Sequence, residues 1–256
     1  MNKTKKIIWS IVLGLLVIVV IAVVIVGFSL GGIVKKGVET VGPQITKTSI
    51  VLDAVDLSLL TGTASVKGLV VGNPPGYTSP ESIHVGKMSV GVSPFSVLSD
   101  KIVVHSVEMV GPEITFEGNP LSKNNLGDIM DSVNQVAKNG GPAASTNATI
   151  QPAGKPGKKL EVDDFLITGA KVHAKLTGVL NKELTLTLPT IHFSDQGTGP
   201  EGITATELTQ RVLSEITSAT VKALASDVTN LGSGAGKAAT ENLDQIKKGL
   251  NGLLGK

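Results

Sequence analysis

The sequence contains no cysteine, which excludes disulfides, thiolate nucleophiles and cysteine-ligated metals. Aromatic residues make up only 3% of it, with one Trp, one Tyr and five Phe. Any core must therefore be built from Val, Ile, Leu and Ala. An excess of one charge is also missing: 23 Lys and Arg stand against 21 Asp and Glu, a net charge of +2. A nucleic-acid footprint needs a concentrated basic face, so this balance argues against that partner. What the chain does have is 41% apolar residues over 256 positions, room for one packed domain and extras.

One long apolar run sets the expected location. "IIWSIVLGLLVIVVIAVVIVGFSL", Ile7 to Leu30, carries no charge. A helix rises about 1.5 Å per residue and a bilayer core takes roughly 20 apolar residues, so this run can span. A cleaved signal peptide has an apolar region of about 7–15 residues followed by an A-x-A-like site. This run is longer and no such site follows, so an uncleaved anchor over residues 1–31 is expected. Lys3, Lys5 and Lys6 precede it, and Lys35 and Lys36 follow, partly offset by Glu39. The slight bias favours a cytoplasmic N-terminus, with the bulk of the chain outside the cytoplasm. Gly27 and Gly31 form a G-x-x-x-G at the end of the run. That motif can mark helix dimerisation; glycines loosening the exit from the membrane are the preferred explanation.

Beyond the anchor the pattern is of strands. "TSIVLDAVDLSLL" and "TASVKGLVV" are separated by Thr61-Gly62, a hairpin break. "SIHVGKMSVGVS" follows a Pro-Pro-Gly turn, with Met88, Val90 and Val92 on one face and Lys87, Ser89 and Ser93 on the other. "KIVVHSVEMVGPEITFEG" is interrupted by Gly111-Pro112, which predicts a kink or bulge between two strand halves. Residues 137–158 read as a Gly/Pro/Ala/Ser/Lys linker. Strands resume with Val172, Ala174 and Leu176 set against Lys171, His173, Lys175 and Thr177. Leu184, Leu186 and Leu188 then alternate with Thr185 and Thr187. This is the half-buried pattern of a sheet with one wet face.

At residue 203 the period changes. Thr204 and Glu207 form a capping box with a possible staple between Ile203 and Leu208, and Leu208, Val212, Ile216 and Leu224 fall at helical spacing. Packing onto the sheet is the preferred fate of this helix, ahead of a lid or a partner-binding role. After "GSGAG", Leu243, Ile246, Leu250, Leu253 and Leu254 form a second stripe over 241–254, for which sheet packing and a docking role are equally open.

No motif supplies chemistry. "GTGPEG", Gly197 to Gly202, matches G-x-G-x-x-G, but the helix after it leads to no second strand and Glu201 would repel a pyrophosphate. A turn from sheet to helix is the expected role. His84, His105, His173 and His192 come from separate strands with no metal-ligand spacing. The carboxylates Asp53 with Asp56, Asp163 with Asp164, and Asp195 are expected in turns or in solvent. No catalytic, cofactor-binding or metal-binding residue is nominated, and no enzyme is expected.

The arrangement resembles the N-terminal region of the AsmA-like family of bacterial envelope proteins. The matching positions are Gly68, Leu69, Asn73, Pro74 and Gly76, then Ser96, Leu98 and Ser99, then Gly111, Pro112 and Glu117, within residues 5–120. The resemblance implies an inner-membrane anchor and a periplasm-facing, groove-like sheet; larger members are similar to bridge-like lipid transporters. The expected fold is α+β and mainly antiparallel. An N-terminal transmembrane helix leads into a curved sheet of about seven strands over residues 32–200, and amphipathic helices occupy 201–256. Seven strands at about 4.8 Å would give a groove of roughly 35 Å. Two functions fit: a groove binding lipid or another apolar ligand in envelope homeostasis, or an envelope scaffold docking a partner through its sheet edge or its C-terminal helix. The expected partners are the membrane, lipid and other envelope proteins, with no nucleic acid and no cofactor.

Overall fold

A crease runs across every pass of the described sheet. The structure, a computed structural model, describes residues 30–58, 60–120, 122–139, 158–176 and 183–232. They form an α+β fold: a curled mixed sheet, half a barrel in shape, with three helices. The strands are β1 (Ile50–Val51), β2 (Ala54–Ser58), β3 (Thr63–Gly72), β4 (Glu81–Val92), β5 (Lys101–Val110), β6 (Glu113–Gly118), β7 (Lys159–Thr168), β8 (Lys171–Leu176), β9 (Glu183–Thr187) and β10 (Ile191–Gln196). The helices are α1 (30–46), α2 (Asn125–Lys138) and α3 (Ala205–Gly232), with a short 3-10 helix at Pro94–Leu98.

These strands are segments of six passes: β1–β2, β3, β4, β5–β6, β7–β8 and β9–β10. The breaks line up. Leu52-Asp53 lies opposite Gly68, since Val51 pairs with Val70 and Ala54 with Lys67. Gly68 lies opposite Gly86, between the pairs Lys67–Lys87 and Leu69–Val85. The line continues through Gly111-Pro112, Gly169-Ala170 and the segment from Leu188 to Thr190. Backbone bonds still bridge it, from Lys171 N to Pro112 O at 2.9 Å and from Leu188 N to Ala170 O at 2.8 Å. The sheet is thus bent into an upper leaf (β1, β6, β8, β9 and the inner ends of β3 and β4) and a lower leaf (β2, β5, β7, β10 and the remainder).

The bend costs each strand one step of its alternation. Buried or packed apolar residues flank it at odd spacing: Val85 and Met88, Met109 and Ile114, Ile167 and Ala170, Leu188 and Ile191. Strict alternation would turn one leaf inside out, because a slip of one residue exchanges faces. The slip at the crease keeps these packed apolar residues of both leaves on the concave side. A second bend crosses the lower leaf alone. Val104 and Val107 both face inward around exposed His105 and Ser106, and Val162 and Phe165 do so around Asp163 and Asp164. In β10 the left-handed Asp195, φ 55°, takes up the same extra residue. Aligned bulges of this kind increase curl.

Several expectations meet the structure directly. The Thr61-Gly62 hairpin, the Pro-Pro-Gly turn and the Gly111-Pro112 break are present. The sheet has ten strand segments rather than about seven, because the crease divides passes that the sequence reads as continuous. Six passes at about 4.8 Å give a sheet nearer 29 Å wide than 35 Å. Seven ladders are antiparallel, but β5–β7 and β6–β8 are parallel. Parallel pairing needs a crossover, and α2 lies on it between β6 and β7. The expected anchor, Ile7 to Leu30, lies outside the described residues except for its last position; among the described residues no helix is long and apolar enough to cross a membrane. Helix 241–254 and most of the linker at 137–158 also lie outside them.

α1 covers the edge formed by β1 and β2. At the break between them, Glu39 accepts the Leu52 N–H at 2.9 Å while the Lys35 ammonium bonds Leu52 O. A Cβ at Gly31 would stand 2.1 Å from Val55 O. That glycine therefore permits close approach of helix to strand, a reason different from the loosened membrane exit read from the sequence.

Candidate binding groove

The concave face of the lower leaf is a candidate apolar site, built from two cross-strand rows. The first joins Val55, Val66, Met88, Met109 and Ile167; the second joins Leu57, Ala64, Val90, Val107 and Phe165. Burial rises along each row. The residues on β2, β3 and β4 are half-buried, whereas Val107, Phe165 and Ile167 are at most 7% exposed. The gradient follows the position of α3, whose Ile216, Ala219 and Leu224 share one cluster with β7, β8, β9 and β10. Phe193 closes that side, edge-on to Phe165 at 5.9 Å. On β2 to β5 the residues alternating with the two rows include the exposed polar Asp56, Lys67, Lys87, Ser89 and Glu108, with Lys67 and Asp56 paired at 2.8 Å.

α3 is where the sequence places it and packs as expected. Its start is a complete capping box: Glu207 accepts from the Thr204 N–H and hydroxyl at 2.7 and 2.8 Å, and Thr204 Oγ1 accepts the Glu207 N–H at 3.1 Å. Those bonds hold the Glu207 carboxyl below its usual range. Gly197 to Gly202 forms the turn from β10 into this helix, with Gly197 and Gly202 both at positive φ. The face carrying α3 is thus filled and Met88 and Val90 of β4 pack against its edge, whereas the half-buried Val55, Leu57, Ala64 and Val66 of β2 and β3 lie outside that cluster.

The upper end is closed by a polar clasp. Glu117, 7% exposed, accepts from the Thr78 N–H at 2.7 Å, the Thr78 hydroxyl at 2.9 Å and the Ser79 N–H at 2.8 Å. Burial alone would raise its pKa, but these donors together outweigh burial and hold the carboxyl below its usual range. Buried Asn125, at the start of α2, accepts the Glu117 N–H and donates to Asn73 Oδ1 and Thr115 O, both at 2.7 Å. Asn73 in turn donates to Ser79 O at 2.8 Å. Tyr77 donates to Asp128 at 2.8 Å, and burial with this neighbouring carboxylate pushes the phenol pKa up. In the other direction, Ser96 Oγ accepts the Val103 N–H at 2.9 Å and donates to Ser93 O at 2.6 Å, fixing the 3-10 helix. The motif residues Asn73, Ser96, Gly111 and Glu117 therefore act on turns and on the crease.

The histidines lie apart from the groove. His105 pairs with Asp163 at 2.9 Å and His192 with Asp164 at 2.5 Å, all on the outer face. His173 contacts Thr185 at 3.4 Å, and His84 sits opposite Glu113. Among the described residues, no three or more His, Asp or Glu side chains converge as metal ligands. Sequence reasoning missed Asn125, since residues 118–136 carried no assigned element.

The AsmA family model matches residues 1–186, more than half of the chain. The chain belongs to the AsmA family. The match extends beyond the motif-bearing region through β7 and β8 into β9, so it includes both leaves of the crease. A comparison with curated proteins finds no match.

Proposed function

We propose that this AsmA-family protein is a membrane-anchored envelope protein that shelters the acyl chain of a lipid, or another apolar ligand, in the lower leaf of its sheet. It binds and does not catalyse. The observation that carries this reading is the half-buried aliphatic strip of Val55, Leu57, Ala64 and Val66, which lies outside the packed cluster and is bordered by Met88 and Val90 at its edge. A concave apolar surface of this kind is normally a binding site. Family membership and the apolar run at Ile7–Leu30 support a single-pass anchor in the inner membrane, with the sheet on the periplasmic side. A sheet about 29 Å wide makes this a local lipid site close to its own membrane.

Mass spectrometry of organic extracts from gently purified protein tests the reading. Lipid is expected with the native chain and is expected to fall sharply in Val66→Glu and Val90→Glu variants that retain their strand content. A folded native protein carrying no lipid contradicts it. The sealing of the β7–β10 side by α3 supports a second reading, a scaffold that docks an envelope partner through its sheet edge or residues 241–254. In that case, deleting 241–254 abolishes a specific crosslinked adduct in cells.

A further inference from the structure

We propose that Leu60 and Phe95 form a bilayer-contacting tip that seats the lower end of the sheet in the interfacial layer of the membrane; this rests on the anchor reading above. They are the two most exposed of the large apolar side chains among the described residues, at 81% and 87%. A single exposed apolar residue is ordinary on a protein surface, but these two share one end of the sheet. Leu60 lies in the β2–β3 turn and Phe95 in the 3-10 helix after β4. The two loops are tied together by the Val92 N–H donating to Gly62 O at 2.6 Å.

The direction of α1 identifies what this end faces. The helix runs antiparallel to β1–β2: Gly42 approaches Ile50, Lys35 bonds Leu52 O, and Gly31 approaches Val55 O. Following α1 toward its N-terminus therefore follows β2 toward Leu60. The apolar run of the sequence ends at Leu30, on the first turn of the described helix. β2 continues past Val55 to Ser58, and the turn after it carries Leu60 beyond the level of Gly31. An anchor entering α1 from below thus brings the Leu60–Phe95 end against the bilayer from which it emerges. Ile33 and Val34, on the first turns of α1, are also exposed, at 46% and 40%. Bulky apolar side chains on such a tip suit the boundary between headgroups and acyl chains. The opposite end, at residues 73–80, is the polar clasp of Glu117 and Asn125. The tip would place the open strip of the groove next to its source of lipid.

The absence of cysteine and the lone Trp9 make the test direct. Full-length Leu60→Cys, Phe95→Cys and Pro75→Cys proteins, each carrying an environment-sensitive fluorophore, are reconstituted in phosphatidylethanolamine/phosphatidylglycerol vesicles with and without brominated lipid. Trp9 reports the anchor independently. The expected result is quenching of Trp9, blue-shifted and strongly quenched probes at 60 and 95, and a water-like probe at 75. Phe95→Asp in the Leu60→Cys background is expected to return the probe at 60 toward water without altering Trp9. Quenched Trp9 with water-like probes at 60 and 95 overturns the tip and leaves the anchor standing. Unquenched Trp9 overturns both.

Discussion

Gly111 and Gly169 stand side by side on neighbouring parallel strands, both left-handed at φ 61° and 63°, with the Gly111 N–H bonded to Thr168 O at 2.8 Å. They are the middle of the crease that bends the sheet into two leaves. A Cβ at Gly111 would meet nothing within 4 Å, and one at Gly169 would come no nearer than 3.9 Å. Substitution there is a question of backbone conformation rather than of space. Gly111→Ala and Gly169→Ala are each expected to lower unfolding free energy by about 1–2 kcal/mol, the cost of a left-handed residue with a side chain. Asn, which tolerates this region, should cost less than Ala. Urea unfolding of the Ala and Asn variants checks both the size and the order.

The Glu117 clasp predicts an acid-sensitive fold. The folded-state pKa of Glu117 lies below that of an unfolded glutamate, about 4.3. Its contribution is therefore complete above that value and is lost as pH falls through the folded-state pKa. Glu117→Gln should cost about 1–3 kcal/mol near neutral pH, because Thr78 and the buried Ser79 N–H lose a charged acceptor. Its unfolding free energy should also fall less steeply than that of the native protein between pH 5 and 3. Denaturant titrations across that range decide the point; parallel pH profiles would contradict the role given to Glu117.

The capping box predicts a link between α3 and the concave face. Thr204→Ala removes the acceptor for the Glu207 N–H and should cost about 0.5–2 kcal/mol. Loosening α3 uncovers Ile216, Ala219 and Leu224 together with the β7–β10 side of the cluster they seal. Binding of an apolar dye such as ANS should rise in the variant at pH 7, while Thr209→Ala, a substitution later in the same helix, changes it less. Unchanged dye binding in a destabilised Thr204→Ala protein would detach α3 from control of the groove.

The legible parts of this fold were those written in local pattern. Alternation at Val172, Ala174 and Leu176 located a strand and its buried face, and Thr204 with Glu207 located the start of α3 to the residue. The crease was half legible. Gly111-Pro112 announces one break, but its alignment with Gly68, Gly86 and Gly169 is a property of register between strands, which local pattern does not carry. The odd spacing between Met109 and Ile114, or Ile167 and Ala170, was the available signal, a slip in a period of two. The parallel pairs were missed with α2, since without a crossover element consecutive strands default to antiparallel neighbours. Asn124 as a cap bonding the Gly127 N–H at 2.8 Å, followed by Leu126, Ile129, Val133 and Val136, carries that helix in plain view. A groove-like sheet is expected from the family resemblance, but which part of its concave face is packed is not legible in the sequence. Val66 and Phe165 lie on the same concave face, and only the placement of α3 leaves one half-buried and the other sealed.

Neighbouring positions 66 and 67 of β3 offer the most direct measurement of the central claim, because Val66 points into the concavity and Lys67 out of it. A photo-crosslinking amino acid placed at each in turn, in the full-length protein in cells, samples two surfaces a single residue apart. Lipid-mass adducts from position 66, with none from position 67, are the predicted outcome. No adduct at 66, or equal yields at both positions, would contradict an apolar groove that holds lipid.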